Sequence, residues 1–262
     1  MNLSLTGKNA LVCGASQGLG AAVAHELALL GASVIVLARN EEKLKTIVAT
    51  LDTTQHQQHG YIVADTTDPE GVQEKVNAYL EKGNTIHILV NNSGGPASGP
   101  LIETSVDDLR TAFNAHLVTS HLLAQAVITG MRNAQYGRII NIVSTSIKEP
   151  IRGLGISNTI RAAVANWAKT LATEVGNNGI TVNNVLPGFT KTDRLGYLFG
   201  KQAEAANTSI EEIEKRSAAL IPAGRLGEPS EFGAAVAFLC SPAAAYINGI
   251  NLPVDGGRLQ GL

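Results

Sequence analysis

The sequence is poor in cysteine. Its 262 residues include only Cys13 and Cys240, too few for the disulfide framework of a small secreted domain. Cys13 ends a predicted strand and Cys240 lies in a distant predicted helix. We therefore expect both thiols to be reduced and structural.

Excess charge and long apolar runs are also missing. The formal net charge is -2, which gives no concentrated basic face and so argues against a nucleic-acid partner. Apolar runs such as IHILV and RIINIV have the length of strands, so we expect no membrane-spanning helix and no membrane partner. Because no basic region followed by an apolar region opens the chain, we expect a mature, cytoplasmic protein.

What the sequence does contain is a regular alternation of predicted strands and helices. NALVCG precedes GAAVAHELALLG, SVIVLA precedes EEKLKTIVATL, and the pattern continues to INLPVDGG. This pattern predicts a parallel sheet covered on both faces, in one domain over residues 1–262. A long helix is predicted over 106–131, with Ser105 and Asp108 forming a start like a capping box. The polar stretch 196–217 is predicted to be a mobile flap over the substrate.

A glycine-rich turn joins the first strand to the first helix, in the segment CGASQGLG. Gly14 permits the tight turn, Gly18 admits a pyrophosphate close to the backbone, and Gly20 lets the helix pack near the strand. The helix N-terminus would then face the phosphates. The flanking strand and helix make this a dinucleotide site, and the fold a doubly wound Rossmann-type α/β sheet.

The end of the second strand indicates which dinucleotide binds. A carboxylate there selects NAD by bonding the ribose 2′-hydroxyl, but VIVLARN has Ala38 at that position and Arg39 after it. A guanidinium can bind a 2′-phosphate, which favours NADP(H). The alternative is that Arg39 is a solvated residue opening the next helix.

Taken with motifs downstream, this segment resembles the short-chain dehydrogenase/reductase family, and within it the 3-oxoacyl-acyl-carrier-protein reductases. The resemblance covers essentially the whole chain, from CGASQGLG through NNSGG and NNVLPGFTKTD to the closing RLGEPSEFGAAVAFLCSPAAAYINGINLPVDGG. It implies that Asp65 contacts adenine, that NNSGG stabilises the central strand, and that the proline-glycine turn wraps the nicotinamide. The other cofactor residues that it implies are Ser16, Gln17, Leu19, Thr66, Asn91, Ser93, Gly94, Pro187, Gly188, Thr190 and Thr192.

The family's catalytic pattern of asparagine, serine, tyrosine and lysine is broken in this chain. Ser144 retains the serine, but Ser157 stands at the tyrosine position and Arg161 at the lysine position, in SNTIR. Counting without a gap places His116 at the asparagine position, whereas choosing Asn114 would need a compensating insertion and deletion. Serine is a far weaker acid than a phenol, and arginine stays charged and cannot shuttle protons.

Each substituted residue therefore has two interpretations. His116 is either a proton-transfer group or a helix histidine satisfied in the core or at a subunit contact. Ser157 and Arg161 either take part in the reaction, with Arg161 holding the nicotinamide ribose, or only position the cofactor or the helix.

The sequence predicts an NADP(H)-dependent oxidoreductase that interconverts a small carbonyl compound or acyl thioester with its alcohol. Alternatives are an NADP(H)-binding regulatory or scaffold protein without catalysis, and a lyase or isomerase. The resemblance implies a homo-tetramer or homo-dimer paired through helices at 106–131 and 154–175. Arg152, Lys191 and Arg194 either anchor an anionic acyl carrier or are ordinary surface charges.

Overall fold

The strands form one seven-stranded parallel sheet in a computed structural model that describes residues 1–261. Their order across the sheet is β3-β2-β1-β4-β5-β6-β7, so the chain reverses its direction of winding between β1 and β4. The strands are Asn9–Cys13 (β1), Ser33–Ala38 (β2), Gly60–Val63 (β3), Ile88–Asn91 (β4), Gly137–Ile142 (β5), Ile180–Pro187 (β6) and Asn251–Val254 (β7).

Helices cover both faces of this sheet, which confirms the predicted doubly wound Rossmann-type architecture. They are Gly18–Leu29 (α1), Glu41–Thr50 (α2), Pro69–Leu80 (α3), Val106–Phe113 (α4), Thr119–Asn133 (α5), Gly155–Val175 (α6), Asp193–Ala206 (α7), Ile210–Ala219 (α8) and Pro229–Cys240 (α9). Every helix within residues 1–261 is too short or too polar to cross a membrane.

Two apolar layers hold the helices to the sheet. One joins α1, α2 and α9 to one face, with Leu27, Leu44 and Phe232 among its fully buried side chains. The other joins α3, α5 and α6 to the opposite face, through residues such as Val76 and Leu123. Strands buried on both sides explain the continuous apolar runs in the sequence.

The helix predicted over 106–131 is divided in two. It begins as expected, since Ser105 accepts a hydrogen bond from the backbone N–H of Asp108 at 3.1 Å. A π-helical turn, Asn114–Val118, then separates α4 from α5. Such a turn inserts one residue into the helix and is frequent at functional sites.

The thiols of Cys13 and Cys240 are free and buried, as the sequence predicted. Burial raises the pKa of each to about 12. The polar stretch 196–217 forms most of α7 and α8; its role as a flap stays a prediction.

Candidate active site

The glycine turn lies at the point where the strand order reverses, between β1 and α1. Gly14 has φ +59°, and a Cβ at Gly20 would lie 2.3 Å from the carbonyl oxygen of Gly14. No side chain caps the N-terminus of α1 at Gln17, and its first turn carries no acidic residue. These features leave backbone N–H groups and a positive helix end for a bound pyrophosphate. The turn therefore fits a dinucleotide.

A cationic corner lies beside this turn, at the end of β2. The side chain of Arg39 is 75% exposed and reaches within 3.7 Å of Asp65. Lys43, one turn further on in α2, donates to Gln17 in the glycine turn at 2.6 Å. Sequence reasoning missed Lys43, whose signal is its position in the first turn of α2, directly after Arg39 and the cap residue Asn40. Two cations and an adjacent carboxylate fit an adenosine carrying a 2′-phosphate.

The π-turn brings His116 into the interior, where 4% of the residue is exposed. Its Nδ1 lies 2.5 Å from the hydroxyl of Ser93, in the loop that follows β4. Burial, with the nearby charge of Arg161, holds the pKa of His116 well below 6.5. The imidazole is therefore neutral near pH 7 and has no imidazolium proton to donate.

Ser144 and Arg161 both lie near the carboxyl end of β5. The Ser144 Oγ accepts a hydrogen bond from the backbone N–H of Ser146 at 3.1 Å, which leaves its own proton to donate. Arg161, on α6, donates to the carbonyl oxygen of Ile142, the last residue of β5. Its guanidinium lines one cavity together with Ser93 and His116. Burial, and then repulsion by Arg194, lowers the pKa of Arg161 to about 10, so the group stays charged at neutral pH.

Ser157 lies on the first turn of α6, one helical turn before Arg161, and is half-buried. Its hydroxyl makes no hydrogen bond within residues 1–261. The next residue, Asn158, binds both the N–H and the carbonyl of Ile151 and so fixes the loop that leads into α6. The Ser157 hydroxyl therefore plays no part in fixing this loop or the first turn of α6.

Two further arginines reach the same edge of the sheet. Arg194, near the start of α7, donates to the carbonyl oxygen of Pro96 at 2.8 Å. The Arg258 guanidinium lies 4.5 Å from the centre of the Phe189 ring. It also donates to Thr145, next to Ser144, at 3.4 Å. Arg194 thus contacts the loop after β4, and its role as an anchor for an anionic acyl carrier stays a prediction.

The side chain of Asn91 belongs to the sheet. Amide hydrogen bonds run from Asn91 to Asn141, on to Asn184 and then to Asn251, at 2.9, 3.0 and 2.8 Å across four neighbouring strands. This chain of amides ties together the strand ends beneath the cavity. The resemblance implies that Asn91 contacts the cofactor. Such a contact would have to use the backbone of Asn91 or its Oδ1, which is buried and has no hydrogen-bond partner within residues 1–261.

Comparison with known proteins identifies the family. A sequence model described as enoyl-(acyl carrier protein) reductase matches residues 14–258. The 3-oxoacyl-[acyl-carrier-protein] reductase of Vibrio cholerae is 36% identical over 97% of this chain and 98% of its own length. The chain belongs to the short-chain dehydrogenase/reductase family.

Solved short-chain dehydrogenase/reductase structures share the whole fold. L-sorbose reductase from Gluconobacter frateurii, complexed with NADPH and L-sorbose, is 28% identical with a TM-score of 0.93, and the match covers 100% of both chains. YwfH, an NADPH-dependent reductase involved in bacilysin biosynthesis, is 28% identical with a TM-score of 0.90, over 97% of this chain and 99% of its own.

The segment that follows β6 lies against the glycine turn. Thr192 caps α7 by accepting from the N–H of Leu195 at 3.3 Å, and its methyl group would lie 3.6 Å from a Cβ at Gly18. The segment therefore crosses the cleft to the glycine turn. Pro187, Gly188 and Thr190 precede it on the same side, with Thr190 buried.

Proposed function

We propose that this chain is an NADP(H)-dependent oxidoreductase that interconverts a carbonyl compound and an alcohol with an altered proton source. The observation that carries this proposal is the Ser144 hydroxyl at the carboxyl end of β5. Its acceptor role is filled by the backbone N–H of Ser146, so its proton is free for a substrate oxygen. The glycine turn, Arg39 and Lys43 supply the chemistry that NADP(H) needs, and the sorbose reductase of the same fold binds NADPH.

The bound cofactor would supply the hydride that adds to the carbonyl carbon. Ser144 would donate a hydrogen bond to the carbonyl oxygen, and the charge of Arg161 would stabilise negative charge developing there. Because the pKa of His116 is well below 6.5, its neutral ring is a weak acid at neutral pH. We therefore assign the proton to water in the cleft and a positioning role to the pair of His116 and Ser93.

Loss of a phenolic acid is compatible with turnover. General acid–base catalysis contributes about 10²- to 10⁴-fold, whereas orientation of bound reactants can contribute more. A second candidate, an NADP(H)-binding protein without catalysis, is favoured by one observation: within residues 1–261 no phenol or ammonium is hydrogen-bonded to Ser144, Ser157 or Arg161.

The discriminating experiment is NADPH oxidation with ketones, 3-oxoacyl thioesters and enoyl thioesters, beside a titration of NADPH binding. Enoyl thioesters are included because of the description of the matching family model. Turnover of a carbonyl substrate supports the oxidoreductase. Tight NADPH binding without turnover on any substrate supports the second candidate.

We also propose that the protein is a homo-tetramer or homo-dimer paired through α4–α5 and α6. Val106 and Phe113 on α4 are exposed apolar residues, which suits a covered face. Ala124 on α5 faces the core and is 4% exposed, so it does not belong to this face. Light scattering that shows only monomer at micromolar concentration would contradict the assembly.

A further inference from the structure

Three arginines of the candidate active site form no ion pair within residues 1–261. Arg161, Arg194 and Arg258 come from α6, α7 and the C-terminal segment, and all reach the carboxyl edge of β4, β5 and β6. Their hydrogen bonds go to uncharged oxygens of Ile142, Pro96 and Thr145. Within residues 1–261, no carboxylate lies within ion-pair distance of any of them.

Arginines elsewhere on this protein are often paired. Arg225 forms two short hydrogen bonds with Glu231, and Arg216 pairs with Glu212 at 2.8 Å. A guanidinium removed from water and left without an anion is unfavourable, and Arg161 is 9% exposed. Burial alone does not require an anion, since Arg138 is 2% exposed and bonds only backbone carbonyls, but three arginines without ion pairs at one edge of the sheet would favour an anionic ligand there.

Arg194 contacts the loop that follows β4. Arg194 lies over Gly95, where an added Cβ would be 3.1 Å from its Nε, and holds the carbonyl of Pro96. These residues follow β4, whereas the glycine turn follows β1 and Arg39 follows β2. The glycine turn and Arg39 are therefore donors for the phosphates that do not include Arg194, although Thr192, two residues before Arg194, reaches Gly18 of that turn.

Arg161 and Arg194 also act on each other. Arg161 lines a cavity with Ser93 and Arg194 packs over Gly95, so both border the loop that follows β4, and the charge of Arg194 contributes to the lowered pKa of Arg161. An anion between them would relieve that repulsion and could accept hydrogen bonds from both. Planar guanidinium groups match the two oxygens of a carboxylate.

We propose that the substrate is a small oxo acid or hydroxy acid, whose carboxylate is bound by Arg194 beside Arg161 while its carbonyl oxygen faces Ser144. This proposal rests on the oxidoreductase function proposed above and names its substrate class. A neutral ketone lacks the group that these arginines would hold, and it would bind weakly.

The test measures binding to the NADP⁺-saturated protein, so that it does not depend on turnover. The probes are pyruvate, acetoacetate and 4-oxopentanoate, each beside its methyl ester, titrated by calorimetry. We expect at least one acid to bind about 10- to 100-fold more tightly than its ester, the range for hydrogen bonds to charged groups. Arg194→Gln should reduce that ratio to nearly one, and Arg194→Lys should retain part of it.

Arg110→Gln is the matched control, because it removes an exposed arginine of α4 that pairs with Asp107 at 3.2 Å. It should leave the acid-to-ester ratio unchanged, and thermal unfolding checks that each variant is folded. The proposal is overturned if no acid binds more tightly than its ester, or if Arg194→Gln weakens NADP⁺ binding and leaves the ratio intact. Acid binding without NADPH oxidation would instead refute the oxidoreductase while supporting the carboxylate site.

Discussion

The Ser93 hydroxyl and the His116 Nδ1 lie 2.5 Å apart, joining the loop after β4 to the π-turn between α4 and α5. The contact holds a neutral histidine beneath the cleft. It also makes the stability of the fold depend on pH through His116. Protonation would convert the one acceptor nitrogen of the neutral ring into a donor and place a charge in a buried site.

Stability should therefore fall as the pH drops below 6.5. The folded pKa of His116 is depressed, so below 6.5 the unfolded chain binds a proton that the folded chain does not, and the free energy of unfolding decreases. The slope is at most about 1.4 kcal/mol per pH unit for one proton. Urea unfolding between pH 5 and about pH 8 measures it.

Replacing His116→Asn should flatten this slope without removing it. His87 contributes a similar effect, since burial and then Lys8 lower its pKa as well. Equal slopes in wild type and His116→Asn would show that His116 does not titrate as the structure implies.

Arg39→Ala should weaken NADPH binding by about tenfold or more, equivalent to about 1.4 kcal/mol, and leave NADH binding unchanged. Only NADPH carries the 2′-phosphate that the guanidinium would bind. Fluorescence titration with both nucleotides measures the change. Arg110→Ala is a close control, because its side chain is 74% exposed against 75% for Arg39. Equal affinity of the wild type for the two nucleotides would remove the case for NADP(H).

The chain of asparagine amides should be a stabilising unit. Asn141→Ala leaves a donor on Asn91 and an acceptor on Asn184 buried and unpaired, which should cost about 2 to 4 kcal/mol of unfolding free energy. The control is Asn251→Ala, because Asn251 is the exposed last member of the row of asparagine amides. Water can replace the lost partner there, so the cost in unfolding free energy should stay below about 1 kcal/mol. Chemical denaturation compares the two; similar costs would mean that the amides act independently.

The sequence contained the fold in its local patterns, but only part of the site. Alternation of strands and helices and the glycine turn need nothing beyond neighbouring residues, and both predictions that follow from them, the fold and the family, are confirmed. The π-turn escaped because nothing in the local residue types of 106–131 marks where the backbone hydrogen bonding changes from i→i−4 to i→i−5. The contact of Arg194 with Pro96 joins residues 98 positions apart, and no local pattern records that distance. The cofactor and catalytic roles of individual residues stay predictions.

Ser144→Ala should lower turnover by about 10²-fold, the effect of losing one hydrogen-bond donor to a developing oxyanion, or about 3 kcal/mol. NADPH affinity should be nearly unchanged, because the hydroxyl faces the substrate oxygen. Ser146→Ala serves as the control: its Oγ is buried two residues away and has no partner within residues 1–261. Steady-state kinetics distinguishes the two; retention of full activity by Ser144→Ala would exclude this hydroxyl from the reaction.

The remaining prediction concerns the missing phenol. The double variant Ser157→Tyr with Arg161→Lys restores the tyrosine and lysine of the family on one face of α6, four residues apart. A lysine cation beside the phenol lowers its pKa and lets it exchange a proton with the substrate oxygen. If the pocket admits a carbonyl, turnover should rise by up to about 10²- to 10⁴-fold.

The control for this pair is Thr159→Tyr with Arg161→Lys. Thr159 is exposed and donates to the carbonyl of Gly155 at 3.1 Å, so a phenol there would point away from the cleft and should not raise activity. NADPH oxidation by wild type and both double variants, with NADPH affinity measured alongside, completes the comparison. If all three bind NADPH well and none reduces any carbonyl tried, the pocket itself has lost the reaction, and the chain is better understood as an NADP(H)-binding regulatory protein.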